Sequence, residues 1–172
     1  MNLPKLILTD IDGVWTDGGM YYSEEGMEFK KFNTYDSAGV LFCKLLKIPV
    51  GIVTGEKSVA VLNRAKKLKT DYVFTGVKNK KSVINDLINE LNINWKEVAY
   101  LGDDLNDIEV LKKVGFSGVV SSAPDYIKKY ANYITTKKGG EGAFREFVEY
   151  ILIHNNKLEE VLNLYADLNK NA

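Results

Sequence analysis

The chain has 172 residues, 45% of them hydrophobic and 27% charged, which is the composition of one soluble globular domain and not of a disordered segment. Its 23 Lys and Arg balance its 23 Asp and Glu, so it lacks the basic surplus of a nucleic-acid binder. No apolar run approaches the ~18 residues of a membrane span, the N-terminus lacks a signal peptide's apolar core, and the lone Cys43 excludes an internal disulfide or a multi-cysteine metal site; the expected location is the cytoplasm.

In chain order, Lys5–Thr9 reads as a buried strand that runs into Asp10, Asp12 and Asp17. Residues 18–33, interrupted by Ser23-Glu24-Glu25-Gly26, read as a β-hairpin. Its place directly after the aspartates suggests a flap beside the site, with a plain edge hairpin as the alternative. Apolar residues at helical spacing predict helices over Ala38–Leu46, Val59–Leu68, Ser82–Leu91 and Asp107–Val114. Between and after them, Pro49–Val53, Tyr72–Thr75, Val98–Leu101 and Gly118–Val120 are short apolar runs without alternation, as expected of parallel strands covered on both faces. A helical tail over residues 142–170 closes the chain. Its first helix packs through Phe144, Phe147, Val148 and Ile151. The stripe Leu158, Val161, Leu162, Tyr165 and Leu168 on the last predicts a docking or subunit contact, because the opposite face is mixed in charge.

Strands alternating with helices predict an α/β fold: one doubly wound, Rossmann-like parallel sheet over residues 1–172, with the hairpin inserted as a flap and no cap domain. Such folds bind ligands at the carboxyl ends of their strands. There the sequence places Asp10-Ile11-Asp12-Gly13, then Thr54-Gly55, then Lys80 at a helix start, then Gly102-Asp103-Asp104. Two strand ends carrying carboxylates, a third carrying a hydroxyl, and a nearby ammonium suit magnesium-dependent phosphoryl transfer. Mg²⁺ takes hard oxygen ligands, which Asp10 and Asp103 supply. The metal and Lys80 offset the repulsion between a carboxylate and a phosphoryl group. Asp10 can then attack phosphorus, while Asp12 protonates the leaving alcohol and later activates water. Thr54 and the backbone at Gly13 can hold phosphate oxygens.

Asp10-x-Asp12-Gly13-Val14-x-Thr16, Thr54-Gly55, Lys80 and Gly102-Asp103-Asp104 together resemble the four motifs of the haloacid dehalogenase superfamily of phosphatases. The resemblance implies Asp10, Asp12, Thr54 and Lys80 as catalytic residues and Asp10, Asp12 and Asp103 as ligands of Mg²⁺. Response-regulator receivers use similar residues, but their phosphorylated Asp ends the third strand, where this chain has Phe74-Thr75-Gly76.

The gaps from Asp17 to Pro49 and from Lys80 to Val98 leave no room for a cap. Over nearly its whole length the chain is similar to the capless branch acting on 2-keto-3-deoxy sugar acid phosphates, whose members are tetramers with a neighbour's tail over the site. Lys31-Phe32-Asn33 before Asp36, Val98-Ala99-Tyr100-Leu101-Gly102-Asp103-Asp104 and Gly139-Gly140-Glu141-Gly142-Ala143-x-Arg145-Glu146 carry this finer likeness. It implies a homotetramer, and Gly13, Thr34, Gly55, Glu56, Arg64, Lys67 and Arg145 as substrate-binding residues. The glycine turn before Arg145 could offer backbone N–H groups to an anion. Octulosonate 8-phosphate enzymes of this branch usually carry Arg directly after Thr-Gly. Glu56 stands there instead, with Arg64 and Lys67 on the next helix, as in the nononate 9-phosphate enzymes. The expected reaction is therefore hydrolysis of 2-keto-3-deoxy-nononate 9-phosphate. The alternatives are the octulosonate 8-phosphate ester or a non-catalytic activator of a cytidylyltransferase. His154 and Cys43 read as structural. Trp15 is either site or packing, and Asp104 and Asp107 divide between orienting the metal shell and capping a helix in an order the sequence leaves open.

Overall fold

The computed structural model describes residues 2–170. Six strands form one sheet: β1 (Leu6–Thr9), β4 (Val50–Val53), β5 (Tyr72–Phe74), β6 (Val98–Gly102), β7 (Phe116–Val119) and β8 (Tyr133–Ile134). Their spatial order is β5-β4-β1-β6-β7-β8 and every pairing is parallel. Leu6, Ile7 and Leu8 are completely buried, as are Ile52, Val53, Ala99, Tyr100 and Leu101. Both faces of these strands are covered, which is why their sequences do not alternate. A separate two-stranded hairpin pairs β2 (Tyr21–Tyr22) antiparallel with β3 (Glu28–Phe29).

The helices are α1 (Asp36–Leu45), α2 (Val59–Leu68), α3 (Lys80–Glu90), α4 (Ile108–Leu111), α5 (Asp125–Lys128), α6 (Ala143–His154) and α7 (Leu158–Lys170). α1 packs on α6 and touches α7, while α3 packs on α4. The winding reverses at β1. The chain lays β4 and β5 on one side of it, then crosses to place β6 on the other. The carboxyl ends of β4, β1 and β6 thus meet at the switch point, where an open α/β sheet leaves a crevice.

The predicted doubly wound sheet is present, and between β1 and α1 the chain inserts only the hairpin, so no cap is built there. Two short elements carry no sequence signal. α5 is a single turn, and β8 is two residues, too short for any periodicity. β8 is held at the sheet edge by Asn132, whose Oδ1 accepts from the Ser117 N–H (2.9 Å), and by Tyr133 stacked on Tyr150 (3.9 Å between centroids). The last predicted stripe is only half used. Val161 is buried, but Leu162, Tyr165 and Leu168 are exposed. No helix among the described residues is long and apolar enough to cross a membrane.

Candidate active site

Asp10 extends β1 by one residue, its N–H donating to the Leu101 carbonyl (3.0 Å). The chain then winds into a tight turn in which the N–H groups of Val14, Trp15 and Thr16 all donate to the Ile11 carbonyl (3.1, 2.9 and 3.1 Å). This turn lets Asp10 and Asp12 line one cavity of about 170 Å³, together with Thr54, Gly55, Glu56, Asp103, Asp104 and Asn106. Gly13 makes the close approach possible. It sits at φ +84°, and a Cβ there would lie 1.9 Å from Asp103 Oδ2.

Beneath the cavity lies a buried polar cluster. Lys80 opens α3, with Asn79 as its cap, accepting from the Ser82 N–H (3.0 Å). Its ammonium stands 2.8 Å from Asp10 Oδ2, 2.7 Å from Asp107 Oδ1 and 3.3 Å from the Tyr100 hydroxyl. Asp107 has no free oxygen. Oδ1 accepts from Lys80 and from the Tyr100 hydroxyl (2.5 Å), and Oδ2 accepts from the Asp103 N–H (2.8 Å) and the Asp104 N–H (3.2 Å). Asp107 therefore orients the acidic loop. Asp104 accepts from the Leu105 N–H (2.7 Å) and caps the 3₁₀ turn over Leu105–Asp107. The two roles that the sequence left undivided separate here.

Asp10, Asp103 and Asp107 each bring one oxygen within 4.8 Å of the others. Burial, and then the charges of Asp10 and Asp107, push Asp103 up to about 8. Asp10 is raised likewise, by burial first and Asp107 second, with Lys80 pulling against both. Burial opposes the Lys80 charge, but the carboxylates of Asp107 and Asp10 prevail and its pKa rises. Three carboxylates facing one ammonium leave this corner short of positive charge. Asp10 Oδ1 and Asp103 Oδ1 are buried with no hydrogen-bond partner. Two orphaned hard oxygens in such a corner fit Mg²⁺, which takes one or two carboxylates and fills its other positions with phosphate and water. For Asp12, expected as a further ligand, Oδ1 receives the Lys30 ammonium at 2.5 Å, while Oδ2 is buried without a partner beside the same cavity.

The comparisons with known proteins agree with this geometry. Residues 72–147 match the model of the haloacid dehalogenase-like hydrolase family. The 3-deoxy-D-manno-octulosonate 8-phosphate phosphatase KdsC of Escherichia coli K12 is 38% identical over 156 residues, which is 91% of this chain and 83% of that protein. The chain belongs to the haloacid dehalogenase-like hydrolases. Among solved structures, a probable YrbI family phosphatase from Pseudomonas syringae superposes with a TM-score of 0.91 at 40% identity, covering 95% of this chain and 93% of that one. The octulosonate phosphatase of Moraxella catarrhalis, solved with magnesium, phosphate and KDO, superposes with a TM-score of 0.90 at 34% identity, covering 94% and 93%. As a member of this family the chain is a phosphatase with Mg²⁺ as its cofactor. The alternative of a non-catalytic activator falls away.

The hydrolase's other expected site residues divide into two groups. Thr54, Gly55 and Glu56 line the cavity. Thr34, Arg64, Lys67 and Arg145 do not. Thr34 is exposed, and its carbonyl accepts from the Ser37 N–H (3.1 Å). Arg64 Nη2 donates to the Asn33 carbonyl (3.1 Å) and its guanidinium lies 5.8 Å from the Phe32 ring centre, so it braces the base of the hairpin. Lys67 is exposed. Arg145 Nε donates to Glu149 (2.7 Å), with its guanidinium over the Tyr35 and Phe42 rings. The glycine turn before it is also otherwise engaged. Its N–H groups donate to Ser122 Oγ (from Gly139), the Val14 carbonyl (from Gly140) and the Lys138 carbonyl (from Glu141). A Cβ on Gly139 would lie 1.8 Å from the Gly13 carbonyl oxygen, so the turn buttresses the Asp12–Asp17 loop rather than offering N–H groups to an anion.

Trp15 resolves to packing. It is fully buried against Phe144 (4.9 Å between centroids), and its Nε1 donates to Thr9 Oγ1 (3.2 Å). Asn106 is the cavity residue that the motifs passed over. Its place three residues after Asp103 was the only hint, and a polar residue in an acidic loop reads equally as solvated.

Proposed function

We propose that this phosphatase hydrolyses 3-deoxy-D-manno-octulosonate 8-phosphate to the free sugar acid and phosphate. The observation that carries the reading is the likeness, over 91% of the chain, to an E. coli enzyme named for that substrate. It favours this ester over the nononate ester as the preferred substrate. Two of the three residues behind that expectation, Arg64 and Lys67, lie outside the cavity of this chain. The third, Glu56, does line it, and keeps the nononate 9-phosphate as the second reading, since a carboxylate there can accept from sugar hydroxyls.

In this reading Asp10 and Asp103 would hold the metal through their unpartnered oxygens. Mg²⁺ bound there would supply positive charge to offset the repulsion between phosphoryl group and carboxylate. One oxygen of Asp10 attacks phosphorus and the ester bond to the sugar oxygen breaks, leaving an aspartyl-phosphate. Asp12 gives its proton to the departing oxygen. It then takes one from a water whose attack on phosphorus frees Asp10 and releases phosphate. Lys80 aligns the attacking carboxylate through its contact with Oδ2 and offsets part of the repulsion from Asp107, and Thr54 donates to a phosphoryl oxygen. The exposed apolar flap (Met20, Tyr21, Tyr22, Met27, Phe29) and the uncovered face of α7 support assembly of four copies, which sedimentation velocity would read as a species four times the chain's mass.

The test of substrate is a comparison of kcat/KM for the two esters on purified protein with Mg²⁺. The octulosonate ester is expected to be turned over at least about tenfold more efficiently, a difference of roughly 1.4 kcal/mol in transition-state binding. Equal or better turnover of the nononate ester would overturn the assignment in favour of the second reading.

A further inference from the structure

Most of the flap's large apolar side chains face outward. Met20, Tyr21, Tyr22, Met27 and Phe29 are between 42% and 63% exposed. The Lys30 side chain, one residue past β3, is fully covered. It turns inward and its ammonium is shared by two carboxylates, Asp12 Oδ1 at 2.5 Å and Glu28 Oε1 at 2.7 Å. Met20 Sδ lies 3.8 Å from the same ammonium. Asp12 Oδ2, by contrast, is buried and has no partner. The carboxylate is thus pinned at one oxygen and free at the other, and it borders the phosphate cavity.

We propose that Lys30 is a positioning residue: delivered by the flap and braced by Glu28, it fixes the rotation of the Asp12 carboxylate so that Oδ2 meets the leaving-group oxygen. The inference rests on the reading of Asp12 as the proton donor. An Asp side chain two bonds from the backbone turns freely about its terminal torsion, and proton transfer needs the donor oxygen within roughly 3 Å of its target. A charged hydrogen bond of this length removes that freedom on one side while leaving the other oxygen open. It also couples chemistry to flap placement: when the flap is displaced, Asp12 loses its brace.

The discriminating experiment varies the leaving group. kcat/KM reports the step in which the ester bond breaks. A sugar or alkyl phosphate needs a proton at its departing oxygen, whereas p-nitrophenyl phosphate, with its acidic phenol, does not. Lys30→Met is expected to lower kcat/KM by about tenfold or more for the sugar acid phosphate and by less than about threefold for p-nitrophenyl phosphate. Lys30→Arg restores much of the loss, because it keeps a charged donor. Glu28→Gln, which leaves Lys30 in place but unbraced, moves both substrates in the same directions by less. In an Asp12→Ala background, Lys30→Met adds no further loss, since the residue acts through a group that is gone.

Equal losses for both esters, an additive loss in the Asp12→Ala background, or no loss at all would each overturn the proposal. Failure of the underlying reading is separately visible. If Asp12→Ala alone shows no dependence on leaving group, Asp12 is not the donor whatever Lys30 does. A Lys30→Met protein too unstable to assay leaves Glu28→Gln to decide: unchanged leaving-group dependence there overturns the proposal.

Discussion

The strand-end corner lines one small cavity, the flap meets it through the Lys30–Asp12 contact, and the two are built by opposite rules. In the corner, Asp10, Lys80 and Asp107 are buried, and Tyr100 and Asp107 use hydrogen bonds to aim their neighbours. In the flap, two residue pairs make the whole ladder and the large side chains point outward. A buried charged cluster of this kind is rigid because each member is held by the others, and removing one leaves the rest uncompensated. A two-stranded ribbon with little buried surface is marginal alone and takes its position from whatever it touches. The contrast teaches that the corner holds its side chains by mutual pairing while the flap holds only Lys30 inward, and Lys30 is where the two regions meet.

The largest expected effect tests the corner's chemistry. Asp10→Asn keeps the shape and removes the nucleophile, so turnover with Mg²⁺ falls by something on the order of 10⁴-fold or more, while circular dichroism stays that of the folded protein. Retention of a tenth of the activity would move the nucleophile elsewhere. Next comes the corner's stability. Lys80→Met leaves the buried carboxylates of Asp10 and Asp107 facing each other without a cation, and urea unfolding without metal should show a loss of about 3 kcal/mol. A loss below about 1 kcal/mol would mean that the carboxylates relax by protonation, and the corner would then be less rigid than its geometry implies.

A third test addresses the joint between α1 and α6. Asp36 is buried, its Oδ1 accepts from the Arg145 N–H (3.2 Å) and its Oδ2 has no partner. Burial pushes its carboxyl up to about 6, against the pull of the Arg145 and Phe144 N–H groups and the charges of Arg64 and Lys137. Its pKa is therefore higher in the folded chain than in the unfolded one. The folded state binds the extra proton between about pH 4 and pH 6, so this residue's contribution to stability is present at the acid end and is lost as pH rises through that window, by at most about 3 kcal/mol. Asp36→Asn should flatten that part of the stability–pH curve relative to the parent. Parallel curves would show that folding leaves the Asp36 pKa unchanged. The smallest expected effect lies in the flap itself, where Tyr22→Ser should change the stability of the single chain by less than about 0.5 kcal/mol. A larger loss at the protein concentrations where copies associate would place Tyr22 in a contact between them.

Much of this molecule can be read from local pattern. The buried strands betray themselves as short apolar runs, because a parallel sheet covers both faces. Val59–Leu68 is predicted and observed with the same limits, because its apolar stripe and its exposed lysines both obey the helical period. The acids at the ends of β1 and β6, the hydroxyl after β4 and the lysine that opens α3 were visible because the winding of the sheet dictates where strand ends meet. The likeness to phosphatases rests on those same residues. Other parts resisted for reasons equally physical. β8 is too short to show a period. The glycine turn before α6 reads as an anion cradle until its N–H groups are followed to Ser122, Val14 and Lys138. Arg64 and Arg145 are cations at plausible positions, but a long side chain pairs with whatever the fold brings near, here the Asn33 carbonyl and Glu149.

What the sequence determined by itself is thus the sheet, its switch point and the chemical types gathered there, since those follow from hydrophobic period and strand order. What only the tertiary structure decided is the partnership of each side chain. Asp107 became the orienting group and Asp104 the cap, and Lys30 crossed from the flap to Asp12, 18 residues away in the chain. Such choices depend on distances of a few tenths of an ångström between segments remote in sequence, and no local pattern encodes them.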